Sequence, residues 1–435
     1  MERDDIRYRS YIEILKQELI PAMGCTEPIA VAYCSALARR TLQQIPDKVE
    51  IFVSGNIVKN VKSVIVPNTG GMKGIKAAAA AGIVAGDPDK ELEVISVVSE
   101  RQKEQIREYL EITDMSVSSF DGKREATGEL LDILVEVWKD GHCAKARLAG
   151  HHTHVVLLQS EEEVLYQDEP SKAGTDEGSE KEDLRKLLSV EDIFDFAQSV
   201  DLQDIHGTIE RQIRYNTAIS EEGLRHSYGA NIGKVIRTGF GNGLKERAKA
   251  AAAAGSDARM SGCELPVVVN SGSGNQGLTV SLPVIEYAKE MGAPQEKLYR
   301  ALTLSNLIAI HEKQGIGCLS AYCGAVSAGA AAGCGIAYLC EGGLKAVTHT
   351  LVNALAITSG MVCDGAKPSC AAKIAVAVDA GILGYEMYCR GQQFRDGDGI
   401  VKKGVENTIR NVGRLASEGM RETDRTIIRM MIQEH

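Results

Sequence analysis

Three stretches in the C-terminal half of the chain are rich in Ala and Gly, and they limit what the chain can fold into. They are AKAAAAAGSDARMSG (248–262), AYCGAVSAGAAAGCGIAYLC (321–340) and AAKIAVAVDAGILGYEMYC (371–389). Ala and Gly cannot fill space with bulk, and only 5% of the 435 residues are aromatic. A core of such residues must close by bringing backbones together, so the pattern predicts tightly packed helices.

The N-terminal part has a different texture. Residues 1–47 predict helices interrupted at PAMGCTEP, whose proline and glycine residues place Cys25 at or next to a helix N-terminus. Residues 48–66 indicate strands around a turn at Ser54, Gly55 and Asn56, and the following GGMKGIKAAAAAGIVAG indicates a helix. ELEVISVVS and the alternating segments up to residue 168 indicate further strands.

We therefore predict an α+β fold, in which a mainly α-helical catalytic domain rich in Ala and Gly carries an inserted small α/β sheet module. The N-terminal helices (1–47) are expected to pack with the catalytic domain, and the module covers 48–168. Residues 169–183 are acidic and nearly free of apolar side chains, which predicts a linker or loop. A helical domain is predicted over 184–435.

Charge and targeting signals exclude several classes of partner. The net charge is −10 and no basic stripe is present, so nucleic acid is not an expected partner. The charged N-terminus lacks the apolar core of a secretory signal, which predicts a cytoplasmic protein. Residues 318–340 have no charge and contain Gly329 and Gly333 in G-x-x-x-G spacing, but their small side chains favour a buried helix over a membrane span.

The eleven cysteines favour thiol or metal chemistry over a disulfide framework, because their number is odd and no export signal precedes them. Cys363 and Cys370 lie in GMVCDGAKPSCAAK, where Gly and Pro interrupt the helix and leave backbone amides free to face sulfur. Ordinary buried thiols are the alternative. We interpret seven cysteines as structural: Cys34, Cys143, Cys263, Cys318, Cys334, Cys340 and Cys389.

Three other motifs carry candidate functional residues. Cys25 in GCTEP is expected to have a lowered pKa at its helix N-terminus, although Thr26 and Glu27 could simply cap and turn the chain. SGSGNQG fits a dinucleotide fingerprint only weakly, because no βαβ unit surrounds it. Its amides could equally hold a small carboxylate, with the side chains of Ser273, Asn275 and Gln276.

The third motif, VPNTGGMKG, places Asn68 and Lys73 on a glycine-rich turn that could also be a plain strand-to-helix connection. The histidines of HHTH, namely His151, His152 and His154, could bind metal or move protons. Their alternation instead favours a strand that places most of these histidines on one side.

Taken together, PAMGCTEPIAVA, SGSGNQG, SAYCGAV and GMVCDGAKPSCAAKIA resemble the L-cysteine desulfidase family, which contains the serine dehydratase alpha-chain-like domain of iron–sulfur L-serine dehydratases. The resemblance spans nearly the whole chain. It implies a [4Fe-4S] cluster on Cys323, Cys363 and Cys370, with a further functional cysteine at Cys25. Three thiolates would leave one iron open to act as a Lewis acid.

The resemblance also implies α,β-elimination from a small amino acid, releasing sulfide from L-cysteine or water from L-serine and ending in pyruvate and ammonia. We assign α-proton removal to Cys25 and carboxylate binding to Ser273–Gln276, with help from Asn68 and Lys73. Cys25 could instead be a fourth cluster ligand. A pyridoxal phosphate enzyme and a non-catalytic amino-acid-binding redox sensor stay open as alternatives, and the helical surface could support a homodimer.

Overall fold

The computed structural model describes residues 1–120, 126–168, 184–317 and 320–432. The helices are α1 (Ile6–Glu18), α2 (Thr26–Leu42), α3 (Gly55–Val61), α4 (Gly74–Ala85), α5 (Glu100–Ile112), α6 (Val190–Ser199), α7 (Leu202–Arg225), α8 (Ile232–Gly239), α9 (Leu244–Met260), α10 (Gly274–Met291), α11 (Gln295–Ile316), α12 (Gly324–Leu339), α13 (Leu344–Thr358), α14 (Cys370–Cys389), α15 (Val405–Arg414) and α16 (Arg421–Ile432). The strands are β1 (Pro21–Met23), β2 (Lys48–Val53), β3 (Asp114–Ser119), β4 (Asp132–Lys139), β5 (His142–Ala149), β6 (Val155–Ser160), β7 (Glu163–Gln167) and β8 (Pro266–Val268). This mainly helical protein with a small mixed sheet confirms the predicted α+β fold.

The six-stranded sheet has the order β3-β2-β4-β5-β6-β7. β2 and β3 are parallel, and the other neighbouring strands are antiparallel. Helix α2 packs on β4 and β5, where the Cys34 thiol lies 3.3 Å from the carbonyl oxygen of Ala146. The other N-terminal helix, α1, packs against α7 and α11 in the helical part. The boundaries between predicted domains stay predictions.

Helix α12 lies at the centre of the helical part and packs against α10, α11, α13 and α14. Its Gly333 meets Gly381 of α14 so closely that a Cβ atom on Gly333 would lie 2.5 Å from the Gly381 carbonyl oxygen. One turn earlier, Gly329 meets Ala377 in the same way, so the two helices run parallel. Backbone approach through Ala and Gly is therefore confirmed as the means by which this core closes.

Within the uncharged segment 318–340, residues 324–339 form α12, and its residues from Ala325 to Ala337 are buried inside the protein. Within the described ranges, none of the helices combines the length and the apolar character that crossing a bilayer requires. The predicted acidic linker 169–183 and Cys318 lie outside the described residues.

Two strand predictions are wrong. Residues 55–61 form α3, because Ile57 and Val61 lie one turn apart and both enter the core, while Lys59 between them pairs with Asp424 of α16. ELEVISVVS forms the end of a 3-10 turn over Pro88–Glu93 and an irregular segment. The parallel strand next to β2 comes instead from residues 114–119, after α5, so tertiary pairing overrides local β-propensity.

Candidate functional site

A short ribbon of β1 and β8 brings together two loops that are about 250 positions apart in the chain. Beyond this ribbon, the Thr26 hydroxyl donates a hydrogen bond to the Gly272 carbonyl oxygen at 3.1 Å. Gly24 has φ +56 and lies directly against Pro67, so the loop before α4 also reaches this point. The segments PAMGCTEP, VPNTGG and SGSGNQG thus form one wall of a common site.

Cys25 lies at the start of α2 and is 3% exposed. Its thiol donates a hydrogen bond to Glu27 Oε2 at 3.0 Å. Burial, and then the negative charge of Glu27, raise the pKa of Cys25 well above its ordinary value. The expectation of a lowered pKa is therefore wrong, because desolvation outweighs the effect of the helix N-terminus.

Cys323 and Cys363 are brought together by an isolated antiparallel bridge between Tyr322 and Val362. The Cys323 N–H donates to the Met361 carbonyl oxygen at 3.0 Å, and the Cys363 N–H donates to the Ala321 carbonyl oxygen at 2.6 Å. Burial, and then a negative charge on Cys363, raise the pKa of the Cys323 thiol to about 12. The two side chains therefore interact electrostatically.

Cys370 is the first residue of α14 and completes this group. Burial raises its pKa, and Cys363 adds to the effect. Cys370 also packs in a small apolar cluster with Cys25, Val64 and Met260. The structure thus gathers all four cysteines predicted to be functional in one region, although their roles stay predictions.

Two lysines are tied to the turn that carries Cys363 and Cys370. Lys373 Nζ donates to the Val362 carbonyl oxygen at 2.8 Å and pairs with Asp364, as does Lys367. Burial alone would raise the pKa of Asp364, but the hydrogen bonds from the two lysines lower it to about 2. Both cations are thereby held beside the cysteines.

Glutamine and asparagine side chains of SGSGNQG line the other side of the site. Ser273 Oγ accepts a hydrogen bond from the Gln276 N–H at 3.4 Å and so caps α10. The Gln276 side chain lies against Gly324, which follows Cys323. Asn275 Nδ2 lies 3.7 Å from Met260 Sδ. The loop is thus next to the cysteines, with a helix rather than a nucleotide-binding βαβ unit behind it.

Comparison with known proteins agrees with this arrangement. The family model of the serine dehydratase alpha chain matches residues 89–429. The chain belongs to this family. Three UPF0597 proteins are similar to it over nearly their full lengths: one of Desulfitobacterium hafniense (55% identity; 100% of this chain, 99% of the relative), one of Lachnoclostridium phytofermentans (48%; 98% and 100%) and one of Treponema denticola (45%; 100% and 100%).

Cys323, Cys363 and Cys370 are the residues of this serine dehydratase alpha chain family member that could hold an iron–sulfur cluster. Among the residues that the structure describes, no three His, Cys, Asp or Glu side chains converge as ligands of one metal ion. The cysteines of a cluster bind different irons and need not meet at one point. Burial and the neighbouring Cys363 oppose the ionisation of Cys323 and Cys370, so a bound cationic iron centre would stabilise these two thiolates.

Sequence reasoning missed Arg259 as a site residue. It lies in the last turn of α9, is 3% exposed, and its Cζ is 2.7 Å from where a Cβ atom of Gly274 would be. Its charge also acts on both Cys25 and His152. Nothing in AKAAAAAGSDARMSG distinguishes this arginine from a solvated one, because only the tertiary fold buries it.

The three histidines lie in the turn between β5 and β6, so the prediction that they form a strand is wrong. His154 instead faces the Ala149 carbonyl oxygen and Asp168. His152 is partly buried next to Gly272, with its ring 3.5 Å from the Cβ position of that glycine, and desolvation lowers its pKa. His152 thus belongs to the site, which only the compact HHTH motif hinted at.

Asn68 and Lys73 lie at the edge of this region. The Asn68 amide donates to the Ile95 carbonyl oxygen at 2.8 Å, and Lys73 is exposed at the start of α4. Their substrate-binding role stays a prediction.

Proposed function

We propose that this protein is a lyase that eliminates the β-substituent of L-cysteine, giving hydrogen sulfide, ammonia and pyruvate. A [4Fe-4S] cluster bound by Cys323, Cys363 and Cys370 would be its cofactor. The observation that carries the proposal is the Tyr322–Val362 bridge, which brings Cys323 and Cys363 together from segments 40 residues apart, with Cys370 close enough to interact electrostatically with both. When bound, the cluster supplies a Lewis-acidic iron that stabilises the departing group.

Cys25 is proposed to accept the α-proton. Its buried thiol donates a hydrogen bond to Glu27 Oε2, so this carboxylate is placed to take the thiol proton as the Cys25 thiolate removes the α-proton. Both residues lie on the first turn of α2, which fixes the 3.0 Å distance between their Sγ and Oε2 atoms. Burial excludes the water that would otherwise compete for this proton.

L-Serine is the second candidate substrate, because the family model that matches the chain is that of the serine dehydratase alpha chain. Elimination of water instead of sulfide would need the same α-proton acceptor and the same carboxylate and ammonium contacts. The rates of pyruvate formation from L-cysteine and from L-serine, measured side by side, therefore decide which amino acid is the substrate.

The test is anaerobic reconstitution with iron and sulfide, followed by iron analysis, an absorbance spectrum and a pyruvate assay on L-cysteine and L-serine. Cys323→Ala should lose the cluster. Cys334→Ala is the matched control and should keep the cluster, since Cys334 is buried within α12, the helix that begins directly after Cys323, and its thiol bonds the Val347 carbonyl oxygen. Failure of wild-type protein to bind a cluster, or to form pyruvate from either amino acid, would overturn the proposal.

Cys25→Ser separates the two roles of Cys25. A full iron complement and an unchanged resting spectrum with lost turnover support proton transfer. A changed resting spectrum would make Cys25 a fourth cluster ligand instead.

A further inference from the structure

Four buried polar atoms around the site have no hydrogen-bond partner among the described residues. They are Arg259 Nε, His152 Nε2, Asn275 Oδ1 and Gln276 Oε1. Buried polar groups are nearly always hydrogen-bonded, because leaving one unpaired sacrifices its hydration without return. Their concentration at one place indicates a polar ligand that completes them.

These atoms belong to or border one turn, residues 272–276. Arg259 lies against Gly274. Gly274 is the first residue of α10 and is flanked in the sequence by Ser273 and Asn275. Gln276 extends from the same turn toward Gly324 and the candidate cluster ligands. His152 approaches from the sheet and contacts Gly272 of the same loop.

The chemistry of the four atoms is complementary to a zwitterion. Arg259 Nε can only donate and carries a permanent positive charge, whereas the amide oxygens of Asn275 and Gln276 can only accept. An α-amino acid offers a carboxylate that accepts and an ammonium that donates. Lys367 and Lys373 are both paired with Asp364, and burial lowers the pKa of His152, so Arg259 is the cation suited to the carboxylate.

We propose that Arg259 binds the α-carboxylate of the substrate, and that the side-chain carbonyl oxygens of Asn275 and Gln276 bind its α-ammonium group. This assignment rests on the proposed function. It changes the role predicted for the SGSGNQG side chains, which become the ammonium site rather than the carboxylate site. The site would thereby select free α-amino acids over amines and over deaminated thiols.

The test measures binding of two unreactive fragments of L-cysteine to the reconstituted holoenzyme by calorimetry. 3-Mercaptopropionate keeps the carboxylate and lacks the ammonium, whereas cysteamine keeps the ammonium and lacks the carboxylate. Arg259→Gln should weaken 3-mercaptopropionate roughly tenfold or more, as expected for loss of a charge-assisted hydrogen bond, and leave cysteamine unchanged. Gln276→Met should do the opposite.

Controls keep the outcomes distinct. Arg237→Gln removes an exposed arginine that bonds Asn242, and it should bind both fragments as the wild type does. Arg259→Lys keeps the charge and replaces Arg259→Gln in the test if that variant folds poorly. It should retain part of the affinity for 3-mercaptopropionate. Equal weakening of both fragments by Arg259→Gln, or loss of 3-mercaptopropionate alone in Gln276→Met, would overturn the assignment. Such an outcome would overturn the binding assignment alone, and the proposed function would stand, if wild-type protein in the same preparation binds a cluster and forms pyruvate.

Discussion

Gly333→Ala tests whether backbone contact between α12 and α14 holds the helical core together. The new Cβ atom would lie 2.5 Å from the Gly381 carbonyl oxygen, 2.7 Å from its carbon and 2.8 Å from its Cα, whereas ordinary contact begins at 3.4 Å. The obstacle is backbone of a buried helix, so no side chain can rotate away. The helices must separate by several tenths of an ångström or more.

The expected cost follows from two opposed effects. Ala stabilises a helix interior relative to Gly by about 1 kcal/mol when space is free. Overpacking a dense core typically costs about 1–3 kcal/mol, and more when only backbone can move. The clash with backbone places the cost at the upper end of that range, so after the helix-propensity gain is subtracted we expect Gly333→Ala to lower the free energy of unfolding by about 1–2 kcal/mol. Urea denaturation monitored by circular dichroism can measure this change.

Gly207→Ala is the matched control, because Gly207 lies inside α7 and its Cβ position has no atom within 4 Å. This variant should raise the free energy of unfolding by about 0.5–1 kcal/mol. Gly333→Ala should also bind less iron, since α12 and α14 begin next to Cys323 and at Cys370. Equal stability of the two variants would refute the reasoning.

Three further predictions concern the surroundings of the site. Lys59→Met should destabilise the protein by about 3–5 kcal/mol in urea denaturation, because it leaves buried Asp424 without its cation. The double variant with Asp424→Leu should recover most of this loss. A double variant that is no more stable than Lys59→Met would contradict the prediction. Gly365→Ala should reduce iron incorporation, because φ of Gly365 is +91 and the new Cβ atom would press on the Lys59 carbonyl oxygen. Gly360→Ala is the control for backbone strain alone, since φ is +148 and its Cβ position lies in open space. It should bind more iron than Gly365→Ala. Burial raises the pKa of Asp257 to about 6 from 3.8, so the stability that it contributes is present below pH 4 and lost as the pH rises through about 6. Asp257→Asn should therefore lose less stability than the wild type between pH 4 and pH 7. An equal decrease of the urea denaturation midpoint in the two proteins over this pH range would refute the prediction.

Local sequence predicted the parts of this protein that local forces decide. Ala and Gly have no side chains to keep helices apart, so the close packing of α12 and α14 followed from composition. The interruption at PAMGCTEP placed Cys25 correctly at the start of α2, because Pro and Gly restrict the backbone directly.

Features that depend on distant partners left no local signal. The bridge from Tyr322 to Val362, the burial of Arg259 and the placement of His152 all arise from segments far apart in the chain. Desolvation likewise reversed the expected pKa shift of Cys25. Only the family spacing linked Cys323 to the other cysteines, since its own neighbourhood resembles any buried small-residue helix.

Four helices, α2, α10, α12 and α14, begin at the candidate site. Each helix N-terminus presents roughly half a positive elementary charge from its aligned peptide dipoles, so the four together supply about two. These dipoles add to the charges of Arg259, Lys367 and Lys373, so a chain of net charge −10 can still hold a locally positive region for thiolates and a carboxylate. The net charge of the whole sequence would assign this region the wrong sign.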